Sequence, residues 1–163
     1  MLEDKGYLFV YAFTDFVNGL IMGTIGPLIP FLAASSHTSA TSYYFVFISR
    51  SVGSVLGAII YKTLQCYGVA SSHHRVIAIT SVLFVSFLFI FEGWHNLVGT
   101  GVLLGLYALF NFIHNVALSC SLLMVPSKEN LFFWLSVSNG SFGLGSVVAP
   151  LVVDLFTLHS FTF

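Results

Sequence analysis

Five long apolar stretches occupy nearly all of this 163-residue chain, over residues 7–32, 43–64, 75–93, 97–125 and 131–156. A helix rises about 1.5 Å per residue, so about 20 apolar residues cross the hydrocarbon of a bilayer. Four stretches are long enough as they stand. The third is continuously apolar from Val76 to Phe91 and gains length only by taking in Arg75 and Glu92 to Trp94. None shows the polar–apolar alternation, over about ten residues, of a membrane β-strand. Charged residues make up 7% of the chain, against about 25% in a soluble domain. That is too few to dress a water-facing surface. The sequence therefore predicts an all-α membrane protein of about five transmembrane helices, folded as a single helical domain over residues 1–163.

The residues before the first stretch, Met1-Leu2-Glu3-Asp4-Lys5-Gly6, are acidic rather than basic. The stretch itself is too long for the apolar core of a signal peptide. It reads as a true transmembrane helix. Lys5, Lys62, Arg75 and Lys128 all fall on one side of a five-span serpentine, and the opposite links, 33–42 and 93–96, contain no lysine or arginine. Positive residues stay on the insertion side, which predicts a cytoplasmic N-terminus in a multi-pass membrane protein. The links are short, so consecutive helices are expected to be antiparallel neighbours.

The net charge of −1 carries no information about partners, and no basic patch points to nucleic acid. Cys66 and Cys120 are isolated in apolar surroundings and read as packing residues, with no metal or disulfide pairing implied. No zinc-protease, nucleophile-elbow or phosphate-loop motif is present. The run Gly140 to Gly145 superficially resembles a nucleotide fingerprint, but it lies within an apolar span with no strand before it. The sequon at Asn139 is likewise inside the fifth span. Neither an enzyme nor a cofactor is expected.

Small residues sit inside the spans. Gly19 and Gly23, Gly53 and Gly57, and Gly101 and Gly105 are each spaced to let helix backbones approach in lipid. Gly26-Pro27 admits a second reading, a bend or break in the first helix, since proline removes a backbone donor. Gly143 and Gly145 are further packing or bending candidates. A faint internal repeat relates Ser49-Arg50-Ser51-Val52-Gly53 and Gly57 to Ser138-Asn139-Gly140-Ser141-Phe142-Gly143 and Gly145. The two segments lie about 90 residues apart, as second helices of two three-helix units of the kind that build transporters.

Arg50 is the most expensive residue for the membrane, at about 2.5–3.5 kcal/mol for a helix centre. It needs an acceptor, for which Asp154, Asn139 and backbone carbonyls are candidates. It reads either as a locking contact within the bundle or as a substrate or gating contact. Asp15, Asn18, Asn111, His114, Asn115 and Asn139 are the other polar residues inside spans. Asn111 and Asn115 share a helix face, as do Asp15 and Asn18. Their amides suit a hydroxyl-rich solute and suit interhelical hydrogen bonds equally well. His114 reads as a packing or lipid-interface histidine rather than a proton relay.

These motifs together resemble the major facilitator superfamily of transporters. The first span, from Asn18-Gly19 through Gly26-Pro27 to Pro30, is similar to that family's first helix. Phe47-Ile-Ser-Arg50, with Gly53 and Gly57, resembles its second, and Asn115 within Asn111-Phe-Ile-His-Asn115 fits a fourth-helix asparagine. Ser141-Phe-Gly143-Leu-Gly145 followed by Ala149-Pro150 is the most specific match. The branch most resembled is that of sodium-dependent glucose transporter-like proteins, and the resemblance covers nearly the whole chain.

The resemblance implies two six-helix halves with a central solute site between them. This chain corresponds to an incomplete N-terminal half. Of the usual charged signature between helices two and three, Arg75 alone remains. Asn111 stands where relatives often carry an acidic residue. Three readings follow. One is a half descended from small-solute transporters, sugars among them, that works with a second half or a second copy. Another is a non-transporting structural subunit among other membrane subunits. The last is a truncated gene model. In the transport reading Asn18, Arg50, Asn111, Asn115 and Asn139 line the solute path, with the three asparagines of helices one and four open on one concave face.

Overall fold

A computed structural model describes residues 3–68, 72–91, 96–124 and 128–160. Its helices are α1 (Glu3–Ser35), α2 (Tyr44–Cys66), α3 (His73–Phe91), α4 (Leu97–Leu123) and α5 (Lys128–Ser160). No strand occurs among the described residues. Among the described residues four helices are long and apolar enough to cross a membrane: α1 from Gly6, α2, α4, and α5 from Asn130 to Leu155. The chain is thus an all-helical membrane protein. The expected extension of the third span over residues 92–94 lies outside the described residues, as do the side chains of Lys5 and Lys128.

Helix ends follow local chemistry. α1 stops in a Schellman motif: the Thr38 amide donates to the Ala33 carbonyl at 3.0 Å and the His37 amide to the Ala34 carbonyl at 3.2 Å. The left-handed position is taken by His37, with φ 53°. The link to α2 is closed by the buried Tyr43, whose hydroxyl lies 3.0 Å from Ser36 Oγ. Two residues past the end of α2 comes Gly68, where φ is 69° and a side chain would be strained. Asn96 caps α4, its Oδ1 accepting from the Gly99 amide at 2.6 Å. α1 remains helical through Pro27 and Pro30.

The chain divides into two compact units. One joins residues 1–30 to residues 122–163, so it pairs most of α1 with α5. The other, residues 31–121, holds α2, α3 and most of α4. In the first unit a Cβ on Gly19 would strike the Phe142 carbonyl, and one on Gly145 would strike the Phe16 carbonyl. A Cβ on Gly23 would come within 2.7 Å of the Ser146 carbonyl oxygen. From Gly19 on Phe142 to Gly23 on Ser146 the contact advances four residues along both helices, so α1 and α5 run parallel. In the second unit a Cβ on Gly53 would strike the Gly105 carbonyl, and one on Gly57 would lie 2.6 Å from the Leu109 carbonyl oxygen. Ser49 Oγ donates to the Gly101 carbonyl at 2.6 Å. Here too the contacts advance together, so α2 and α4 are parallel.

Candidate functional site

The two seams share one contact plan. Phe45, Ser49 and Gly53 of α2 meet Gly101 and Gly105 of α4. Ser138, Phe142 and Ser146 of α5 meet Asp15 and Gly19 of α1 at corresponding steps. Gly53 lies against the Gly105 carbonyl, while Ser146 Oγ lies 3.2 Å from the Gly19 carbonyl oxygen. At the first step Phe45 packs on Gly101, while Ser138 is hydrogen-bonded to Asp15. The Ser49 hydroxyl also donates to the Gly101 carbonyl, so each seam carries a serine hydrogen bond, to a carbonyl in one and to a carboxyl in the other.

In the first unit Asp15 is 6% exposed, and the Ser138 hydroxyl, also buried, donates to its Oδ2. Asn18, one turn further along α1, is 1% exposed. Asn139 follows Ser138 on α5 and is exposed. Gly140 and Gly143 have open space where a Cβ would be, and so does Gly26 on α1.

The second unit holds the remaining expected residues. Asn115 Nδ2 donates to Asn111 Oδ1 at 3.0 Å along one face of α4. Asn111 is 5% exposed and Asn115 is half-buried. Arg50 is half-buried on α2, and Tyr107 of α4 is buried. Asp154, its expected acceptor, belongs to the other unit.

Two polar clusters were not foreseen from the sequence. His114 is fully buried, with Nδ1 3.2 Å from Thr80 Oγ1 and 3.3 Å from Ser81 Oγ. Those hydroxyls donate to the Val76 carbonyl at 2.7 Å and the Ile77 carbonyl at 2.8 Å. Which atom donates follows the histidine tautomer, and the imidazole is held against both hydroxyls of α3 in either case. His114 therefore fastens α4 to α3. Near the end of α2 the buried Tyr61 lies with its hydroxyl 3.0 Å from His73 Nδ1, fastening α2 to α3. The signal for the first cluster was present: Thr80 and Ser81 are adjacent hydroxyls in a strongly apolar run. The pairing was not, because nothing local aligns α3 with α4.

No group of three or more histidine, cysteine or acidic side chains that could hold a metal occurs among the described residues. Cys66 and Cys120 are both free thiols. The chain matches no protein-family description, no curated protein and no solved structure.

Proposed function

We propose that this chain is a major facilitator-like membrane protein, corresponding to five helices of a six-helix transporter half, and derived from transporters of small polar solutes such as sugars. The observation that carries the reading is the repeated seam. Parallel pairing of α2 with α4 and of α1 with α5, at corresponding steps, is what two three-helix units in inverted repeat would produce. The Asn18, Arg50 and Pro150 motifs quoted above supply the family resemblance. On this reading a solute passes between this half and a second half, and the chain needs a partner to transport. Reconstitution in liposomes tests it. Hexose uptake above empty-vesicle background is expected with a partner half or a second copy present. Uptake by a strictly monomeric chain overturns the need for a partner. No uptake in any assembly overturns the transport reading.

The burial of Asn18 and Asn111 favours a second reading, a structural subunit that keeps the fold without a solute path. Amides that face a path are expected to be reachable from it, and these two are not exposed in the isolated chain. Purification in mild detergent separates the readings. A fixed stoichiometry with unrelated membrane proteins supports the structural role. Saturable solute binding by the chain with its own second half or copy supports transport.

A further inference from the structure

The Asp15 carboxyl lies about 14 Å along α1 from Gly6, where the apolar segment begins, at about 1.5 Å per residue. From α5 it is faced by the buried Ser138 hydroxyl, which donates to Oδ2. On α1 itself Tyr11 and Asn18 lie one turn to either side, both buried, and Tyr11 is the titratable one of the two. Among the described residues no lysine, arginine or histidine forms an ion pair with Asp15. Ionisable side chains inside membrane helices are otherwise paired, or serve an ion or proton path.

The partner chosen is the informative part. An arginine would hold the carboxylate in its charged form. A hydroxyl serves both forms, because it both donates and accepts. Ser138 donates to the carboxylate as observed. When the carboxyl is protonated, its O–H donates to Ser138 Oγ, and the serine hydrogen turns to a carbonyl one turn back on its own helix. Both states are therefore hydrogen-bonded without any movement of α1 against α5. The glycine contacts beside the pair, Gly19 on Phe142 and Gly145 on Phe16, hold that spacing.

We propose that Asp15 and Ser138 form a proton-binding site in the seam between α1 and α5. One proton adds to a carboxylate oxygen and leaves from it, and no other covalent bond changes. The site deepens the transport reading by giving it an ion to couple to, and it rests on that reading only for its role in transport.

The test uses the full chain in lipid and no solute. Infrared difference spectra are recorded against pH and followed at the protonated-carboxyl C=O stretch. A band that grows as pH falls and is lost in Asp15→Asn is expected. In Ser138→Ala the carboxylate loses its donor, and the midpoint should move upward by about one pH unit or more. Should Asp15→Asn not fold, Asp4→Asn with Asp154→Asn leaves Asp15 as the one aspartate of the three in the chain. Isotopic labelling of aspartate then identifies its band. A band absent or constant across the whole pH range overturns the site, and so does a midpoint unmoved in Ser138→Ala. A failed proton site leaves hexose uptake to stand or fall separately, and failed uptake leaves the titration intact.

Discussion

Gly53 and Gly140 are the same residue in opposite situations. Beyond Gly53 lies the Gly105 carbonyl, and beyond Gly140 nothing lies within 4 Å. Gly53→Ala should force α2 from α4 and lower stability by about 1–3 kcal/mol. Gly140→Ala should be neutral or stabilising by up to about 1 kcal/mol through helix propensity. Thermal unfolding in detergent checks the pair, and equal effects would count against the seam. His37 offers a second measurement. It holds a left-handed backbone that glycine adopts at no steric cost, so His37→Gly should stabilise the end of α1 by about 1 kcal/mol. The glycine spacing was legible in the sequence, because close approach in lipid demands small residues at fixed steps. Which carbonyl each glycine meets was not, since every backbone offers the same atoms. Asp15 with Ser138, and His114 with Thr80 and Ser81, were hidden for the same reason: each joins helices that local sequence does not align.

At the scale of helices, the five apolar stretches overlap α1 to α5 in order, and their bounds differ at the ends. α1 begins at Glu3 and α5 runs from Lys128 to Ser160, beyond the apolar residues at either end. Hydropathy marks the hydrocarbon, while helical hydrogen bonding continues into the headgroup region. α3 shows the opposite limit. At 19 residues it is the shortest of the helices described, so its crossing is the one that needs direct measurement. The two ends of α2 provide a topology test. Cys66 is an exposed native thiol just after Lys62, and Ala40 is exposed in the link before the helix. The charge bias expects Lys62 and Arg75 on the insertion side, and on that expectation an impermeant reagent should modify Cys66 from the cytoplasmic face. It should reach Ala40→Cys, in a Cys66→Ser background, only from the other face. The reverse pattern would invert the assignment.

For the molecule as a whole, lipid removes the cue that locates a core in soluble proteins. Phe132, Val147 and Leu151 are exposed, and Leu103 and Leu118 are buried, yet all are equally apolar. The membrane class was therefore readable from composition, and the helix partners were not. The polar residues separate better. Arg50 is half-buried, so Arg50→Leu should leave membrane insertion intact or improve it. Glycosylation-mapped insertion would measure it. Impaired insertion of Arg50→Leu would mean that the guanidinium serves the membrane boundary rather than the bundle.

The close approach of backbones in both seams has a chemical consequence. A carbonyl standing where a Cβ would be also looks along the glycine's own Cα–H, so the helices are joined by C–H···O contacts between main-chain atoms. Every amino acid carries those atoms. A substitution at Gly19, Gly53 or Gly145 can wedge such a joint apart, but no choice of side chain can tighten it.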